Sequence, residues 1–150
     1  MKNYYTKMKL PEPLVPALQA LSLLKGQTAL VTGANSGIGR AIAVSLGRAG
    51  ANVVVNYVVK PEDAEAVVVE IQGGGGHAVA IRADVGDEAQ VVAMFAEAVK
   101  AFGTVDILVS NAGMERNAPF HEMTTAQWDA VMNVNLRGAF LCAREAVREF

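Results

Sequence analysis

The stretch that decides the fold is Thr28-Ala29-Leu30-Val31-Thr32-Gly33-Ala34-Asn35-Ser36-Gly37-Ile38-Gly39. It opens with a short apolar run, which is typical of a strand that is buried on both faces of a parallel sheet. Three glycines follow, with three residues between the first two of them, and a helical pattern continues to residue 49. The segment therefore predicts a strand, a tight glycine-rich turn and a helix in direct succession.

Each glycine of this turn has a separate task. Gly33 lets the chain leave the strand in a conformation that a Cβ disfavours. Gly37 lets a pyrophosphate approach the backbone, and Gly39 lets the helix pack on the strand. The free amides and the dipole of the helix then attract an anion. Because a strand precedes and a helix follows, we predict that Thr32–Gly39 holds a cofactor pyrophosphate and is more than a plain turn.

Strands and helices continue to alternate along the chain. Asp87 with Gln90 and Thr124 with Gln127 predict capping boxes at the start of two later helices. The predicted strands are 28–32, 52–57, 77–82 and 105–110, and the predicted helices are 36–49, 61–72, 87–102 and 124–150.

Strands that alternate with helices in this way pair in parallel through right-handed crossovers, with helices on both faces of the sheet. We predict an α/β fold, a Rossmann-like doubly wound parallel sheet that is truncated after the long helix following strand four. Ligands bind such sheets beyond the carboxyl ends of the strands, where the strand order reverses. That reversal is expected between the first and fourth strands, which end at Thr32 and Ser110, so two turns are the candidate site.

The composition fits one compact domain. Of the 150 residues, 52% are hydrophobic and 19% are charged, and the net charge is -2, which supports a sizeable core and leaves no basic stripe for nucleic acid. We expect a dinucleotide-binding domain at 25–150 and an N-terminal extension at 1–24. Prolines interrupt the apolar stretch 10–24, which argues against a signal peptide or a membrane span and favours a cytoplasmic protein. The lone Cys142 cannot form an internal disulfide, and we predict no metal site.

Four motifs together resemble the short-chain dehydrogenase/reductase family. They are the glycine pattern of the first turn, Asp84-Val85, Asn111-Ala112-Gly113 and Asn133-Val134-Asn135-Leu136-x-Gly138. The resemblance covers the chain from about residue 25 to residue 150. Within the family, the segments 55–57, 121–123, 138–141 and 144–146 are similar to bacterial glucose 1-dehydrogenases.

The resemblance implies an oxidoreductase that uses NAD or NADP. Hydride would pass between nicotinamide and the C–OH group of a sugar or another alcohol, with glucose favoured and a ketoacyl-carrier-protein reductase as the runner-up. The alternative from another class is a non-catalytic module that binds nucleotide or serves assembly. A serine strand and a Tyr-x-x-x-Lys helix after Phe150 in the reading frame would favour the enzyme.

The resemblance also implies roles for individual residues. Asn135 matches the asparagine of the family's catalytic tetrad, which supports a proton-relay water, although this residue type also suits a kink within a helix. Glu115 either hydrogen-bonds a sugar hydroxyl or is an exposed loop carboxylate. The expected cofactor-binding residues are Gly33, Asn35, Ser36, Gly37, Ile38, Gly39, Asn56, Tyr57, Asp84, Val85, Asn111, Ala112 and Gly113.

The end of the second strand leaves the choice between the two cofactors open. The resembling enzymes often carry an arginine near the 2′-phosphate where this chain has Val58. No aspartate ends the strand either, and such an acid is the usual partner of the ribose 2′-hydroxyl of NAD. Lys60, Ser36 or Arg40 could contact a 2′-phosphate, so we expect use of both NAD and NADP.

Three catalytic groups of the family are missing from these 150 residues. In the family a serine and a Tyr-x-x-x-Lys pair follow the long helix, and this sequence ends at Phe150. The spacing of Tyr5 and Lys9 matches by chance, before the first strand. We therefore expect the 150 residues alone to be inactive. The exposed edge of strand four and the unpartnered last helix predict association into a homo-oligomer through that helix.

Overall fold

The computed structural model describes residues 22–150 of the chain, and expectations that concern residues 1–21 lie outside this part. The strands are β1 (Thr28–Val31), β2 (Asn52–Tyr57), β3 (His77–Arg82) and β4 (Ile107–Val109). The helices are α1 (Gly37–Arg48), α2 (Pro61–Gly73), α3 (Glu88–Phe102), α4 (Thr125–Met132) and α5 (Ala139–Glu149), with a π-helical segment at Asn133–Gly138 between the last two.

The four strands form one parallel sheet in the order β3-β2-β1-β4. At the end of β1, Val31 pairs with Val55 of β2 on one side and with Val109 of β4 on the other. The carboxyl ends of the strands therefore meet at one edge, and the strand order reverses between β1 and β4. This topology confirms the predicted doubly wound α/β fold and places the turns after β1 and β4 side by side.

Two hydrophobic clusters cover the two faces of the sheet, and β1 belongs to both. Ala29 and Val31 face the cluster shared with α1 and α2, while Leu30 faces the cluster shared with α3 and α5. All three side chains are fully buried. Burial of a side chain such as that of Leu30 stabilises a fold by roughly 1.5–3 kcal/mol. The core therefore holds β1 firmly, together with the turn that leaves it.

The helix starts follow the predicted caps with one difference. Thr124 and Gln127 form the predicted capping box at α4. At α3 the Asp87 carboxylate accepts from the Gln90 backbone N–H at 3.2 Å. The Gln90 side chain does not complete the box, because the Asp87 N–H already donates to the Asp84 carbonyl. Instead, Gln90 Oε1 accepts from the Asp84 N–H at 3.0 Å and so stabilises the loop that precedes α3.

Two predicted elements have different boundaries. β4 covers only Ile107–Val109 instead of 105–110, because the Asp106 carboxylate, at 2.8 Å, accepts the Thr28 N–H that a longer strand would use. The predicted helix 124–150 is divided by the π-helical segment Asn133–Gly138. A regular helical pattern in the sequence does not indicate such a widened turn, which is common at functional sites.

Candidate cofactor site

One buried hydroxyl joins the two turns at the carboxyl edge of the sheet. Thr32, directly after β1, is 1% exposed. Its Oγ1 accepts from the backbone N–H groups of Asn111 and Ala112, each at 2.9 Å, and donates to the Val109 carbonyl at 3.3 Å. The sequence pattern identifies Thr32 only as a strand end. The signal that singles it out is a polar side chain at the end of a buried strand, where it needs partners.

The side chain of Asn111, in the turn after β4, bonds to the backbone of the glycine-rich turn after β1. Its Nδ2 donates to the carbonyls of Thr32 at 2.9 Å and Gly33 at 3.2 Å. The start of α1 lies close against this pair. A Cβ on Gly39 would be 2.5 Å from Asn111 Nδ2 and would also collide with the Gly33 carbonyl oxygen. The third glycine of the pattern is therefore needed where α1 packs against both turns.

Asn56 supports the glycine turn from inside the sheet. Its Oδ1 accepts from the Gly33 N–H at 3.1 Å, and its Nδ2 donates to the carbonyls of Ile81 and Ala83 at 3.3 and 3.0 Å. The residue is 1% exposed, so all its side-chain polar atoms are used within the protein. The Asn56 side chain therefore supports the turn through Gly33, whose φ of 61° belongs to the left-handed region. Its backbone carbonyl also accepts from the Ala34 N–H at 2.8 Å.

The start of α1 offers an open surface to an anion. Gly37 has a φ of 54°, and a Cβ built on it would meet open space. Among the residues that the structure describes, none caps α1 through a side chain, and the Ser36 hydroxyl does not bond to the helix. The first N–H groups of a helix have no partner within it. These amides, together with the helix dipole, are suited to a diphosphate.

The loop after β2 is held from two neighbouring segments. Asn35 Nδ2 donates to the Val59 carbonyl at 3.1 Å, and Arg82 Nε donates to the Val58 carbonyl at 3.1 Å. Lys60 at the start of α2 has a φ of 58°, which is rare for a residue with a side chain. Tyr57, at the end of β2, is half-buried. Arg82 therefore brings a positive charge to this loop. The sequence pattern does not single out this arginine.

Arg40, the other cation considered for a 2′-phosphate, has a partner elsewhere. Its Nη2 lies 2.8 Å from Glu70 Oε2, and its Nε donates to the same oxygen at 3.3 Å. Glu70 also faces Arg48 at 3.7 Å. Arg40 is thus directed along α1 toward α2, and the basic groups beside the loop after β2 are Arg82 and Lys60.

The loop after β3 is ordered by its own side chains. Asp84 Oδ1 accepts from the Gly86 N–H at 2.8 Å, while Val85 is 3% exposed and points into the core. Hydrogen bonds from Gln90, first from its backbone and then from its side chain, lower the pKa of Asp87 below the ordinary value. Asp84 and Val85, predicted to border the adenine, therefore lie on a preformed loop, with Asp84 the more accessible of the two.

Asn135 lies in the π-helical segment and binds the loop after β4. Its Oδ1 accepts from the Met114 N–H at 2.8 Å, and its Nδ2 donates to the Met114 carbonyl at 2.9 Å. A Cβ on Gly113 would lie 3.5 Å from Asn135 Oδ1, so the predicted Gly113 is also near this pair. Glu115 is exposed in the same loop. The structure thus brings Asn135 beside the turn that the sequence predicts for the nicotinamide side.

An ion-pair cluster lies on α5, away from the two turns. Arg144 Nη2 bridges Glu88 at 2.7 Å and Glu145 at 3.0 Å, and Arg148 lies 2.8 Å from Glu145. Burial pushes the pKa of Glu145 upward, but the hydrogen bonds from Arg148 and Arg144 outweigh it and leave that pKa lowered.

On the inner face of α5, burial raises the pKa of the Cys142 thiol to about 11.

Two kinds of feature are not found among residues 22–150. No group of three or more His, Cys, Asp or Glu side chains there is arranged to hold a metal ion. In the same part of the chain, no helix has the length and apolar character needed to cross a membrane.

Comparison with known proteins identifies the class of protein that this fold and site define. The family model for short chain dehydrogenases matches residues 27–150. The chain belongs to the short-chain dehydrogenase family, whose members are oxidoreductases. This agrees with the resemblance carried by the four sequence motifs.

Individual relatives are 41–50% identical to this chain over an aligned part that is about half of their own length. Versicolorin reductase 1 of Aspergillus parasiticus is 50% identical over 125 residues, which are 83% of this chain and 48% of that protein. A dehydrogenase/reductase from Sinorhizobium meliloti 1021 has a solved structure with a TM-score of 0.84 and 46% identity, covering 88% of this chain and 52% of its own. A short chain dehydrogenase from Burkholderia cenocepacia J2315, solved in complex with NADP, has a TM-score of 0.82 and 41% identity over 85% of this chain and 52% of its own. The chain spans about half the length of the curated relatives it matches.

Proposed function

We propose that residues 25–150 form the dinucleotide-binding domain of an oxidoreductase that exchanges hydride between a nicotinamide cofactor and the C–OH group of a small molecule. Residues 1–24 would be an extension to this domain. The observation that carries the proposal is the joined pair of turns, in which Thr32 and Asn111 connect the glycine-rich turn to the turn after β4. This connection lies where the strand order reverses, and parallel sheets bind their ligands at that point.

The start of α1 is the proposed pyrophosphate site. Its uncapped amides and the open space at Gly37 fit a diphosphate, and a Cβ at Gly39 would destroy the packing that creates this space. Asn56 supports the site through Gly33. The residues proposed to contact or border the cofactor are Gly33, Asn35, Ser36, Gly37, Ile38, Gly39, Tyr57, Asp84, Val85, Asn111, Ala112 and Gly113.

The protein is proposed to use both NAD and NADP. Arg82 places positive charge beside the loop after β2, which favours a 2′-phosphate. Lys60 adds a second cation there, with its Nζ 4.0 Å from the Asp63 carboxylate. The relative from Burkholderia was solved with NADP. Arg82 Nε is already bonded to the Val58 carbonyl, however, so only part of its guanidinium remains to bind a phosphate. Titration with each cofactor tests this balance, and a hundredfold preference for either one would contradict dual use.

The bound nicotinamide would supply the hydride acceptor or donor. Within these 150 residues, Asn135 is the proposed member of the catalytic group. Its amide holds Met114 and the loop that borders the nicotinamide side. The proton transfer that accompanies hydride transfer needs an acid–base group, which the family resemblance assigns to a serine and a Tyr-x-x-x-Lys pair. We therefore propose that residues 1–150 bind cofactor but show no turnover by themselves.

The substrate is proposed to be a small alcohol, sugar or ketone. Glucose is the first candidate for oxidation, from the likeness of segments such as 55–57 to glucose 1-dehydrogenases. Reduction of a compound such as versicolorin is the second, because a relative that is 50% identical over 125 residues is named versicolorin reductase 1. Because residues 1–150 are proposed to show no turnover, binding is measured instead. Calorimetry with glucose in the presence of NADP, and with versicolorin in the presence of NADPH, separates the two. Binding of neither NAD nor NADP would contradict the whole proposal.

The protein is also proposed to be a cytoplasmic homo-oligomer. Its last helices expose large apolar side chains, including Leu136 at 61%, Phe140 at 59% and Val147 at 72%. Such a surface is typical of an interface between subunits. Sedimentation analysis tests this point, and a monodisperse monomer at micromolar concentration would contradict it.

A further inference from the structure

The π-helical segment Asn133–Gly138 is fastened to the loop of residues 84–87. Arg137 Nη1 donates to the Gly86 carbonyl at 3.2 Å and to Asn133 Oδ1 at 3.1 Å. The Asn133 amide lies so close to Gly86 that a Cβ there would collide with it. One guanidinium thus binds the segment to the loop and orients a second side chain that packs on the same residue.

The packing around this connection leaves little room for relative movement. A Cβ on Gly138 would lie 2.7 Å from Val85 Cγ2 and 3.2 Å from the Val85 carbonyl oxygen, so the helix and the loop touch directly. The same π-helical segment holds the backbone N–H and carbonyl of Met114 through two hydrogen bonds of the Asn135 side chain. It therefore contacts the loop on the adenine side and the loop on the nicotinamide side at once.

Arg137 is an exposed arginine whose bonds differ from those of the other arginines on this face. Arg144 and Arg148, about two and three helical turns further along, pair with carboxylates. Among residues 22–150, the hydrogen bonds of the Arg137 side chain go to a backbone carbonyl and an amide oxygen. A charged donor makes a stronger bond to a carbonyl than a neutral donor does. The contact therefore suits the fixing of backbone position.

We propose that Arg137 is a positioning residue, which couples binding of an adenine nucleotide at the loop 84–87 to the Met114 backbone through the π-helical segment. The inference rests on the proposed function, because the ligand that would occupy this loop is the adenine end of the cofactor. Coupling of this kind travels through packed and hydrogen-bonded elements. Filling the adenine side then stabilises the bonds between Asn135 and Met114 before the nicotinamide side is occupied.

The test is amide hydrogen exchange at Met114, measured with and without ADP, which contains the adenine half of the cofactor and lacks nicotinamide. In the unaltered protein, saturating ADP is expected to slow this exchange about fivefold, at the low end of typical coupling between sites. In Arg137→Met, ADP still binds, but the slowing is lost. Arg137→Lys retains a charged donor and is expected to recover part of it.

The matched control is Arg48→Met, which removes an exposed helical arginine and its contact with Glu70 far from Gly86. It is expected to show the full slowing at Met114. Equal slowing in Arg137→Met and in the unaltered protein would overturn the coupling while leaving the proposed function intact. If the unaltered protein binds neither ADP nor NADP, both proposals fail, and no variant is needed to see it. If Arg137→Met does not fold, Arg137→Gln takes its place, with the same loss of slowing expected.

Discussion

Asn111 donates two hydrogen bonds to Thr32, one from its backbone N–H to Oγ1 and one from its side-chain Nδ2 to the carbonyl oxygen, both at 2.9 Å. The two residues follow neighbouring strands and are 79 positions apart in the chain. Their contact makes the turns after β1 and β4 a single unit at the reversal of strand order. A ligand at this edge therefore meets a preformed surface.

Replacement of Thr32 by valine is expected to destabilise the protein by about 1–3 kcal/mol, because it leaves the N–H groups of Asn111 and Ala112 without their acceptor in a partly buried site. Urea denaturation measures the loss. The control is Thr104→Val, whose hydroxyl bonds only to the exposed Asp106 carboxylate among the described residues. It should change stability by less than about 0.5 kcal/mol. Equal effects of the two variants would show that the Thr32 hydroxyl does not connect the turns.

Glu145 is expected to contribute a pH-dependent part of stability. Its folded-state pKa is lowered, so the stabilisation is present above the ordinary glutamate pKa and is lost as the pH falls through the lower folded-state value. Between pH 6 and pH 3, the midpoint temperature of thermal unfolding should therefore fall more steeply in the unaltered protein than in Glu145→Gln. Glu149→Gln, on the same helix, is the control and should follow the unaltered curve. Parallel curves for all three proteins would contradict this role of the cluster with Arg144 and Arg148.

Cys142 is expected to be unreactive in the folded protein. The thiol is fully buried on the inner face of α5, and burial raises its pKa to about 11, whereas the thiolate is the reactive form. At pH 8, iodoacetamide should modify Cys142 only as fast as the protein opens, and rapidly in urea. Modification of the folded protein at the rate of a small free thiol would show that α5 does not pack as described.

The sequence was sufficient for features set by local pattern. The run from Thr28 to Gly39 predicted β1, its turn and α1, since apolar burial and glycine spacing act over a few residues. The bonds that build the site join distant positions. The sequence suggests Asn56 as a strand residue with a possible ligand role. In the structure, its side-chain amide bonds to Gly33, to one carbonyl within β3 and to one directly after it. Only the strand order reveals this.

The division of the last helix shows the same limit. The pattern from 124 to 150 is helical throughout, and the structure retains helical backbone on either side of Asn133–Gly138. The widened turn occurs where Asn135 binds Met114 and Gly138 touches Val85. These partners lie in two other loops, so helical propensity alone does not indicate them. The motif singles out Asn135, either for a catalytic role or for a kink within a helix, but it does not indicate a π-helical turn around it.

Cofactor binding at the glycine-rich turn is tested most directly by titrating the unaltered protein, Gly39→Ala and Gly73→Ala with NADPH and following the NADPH fluorescence. Gly39→Ala is expected to weaken binding at least about tenfold, equivalent to 1.4 kcal/mol, because the new Cβ collides with Asn111 and Gly33. Gly73→Ala, at the end of α2 with open space around the new Cβ, should bind as the unaltered protein does. Equal affinity of Gly39→Ala and the unaltered protein would contradict a pyrophosphate site at the turn of Thr32–Gly39.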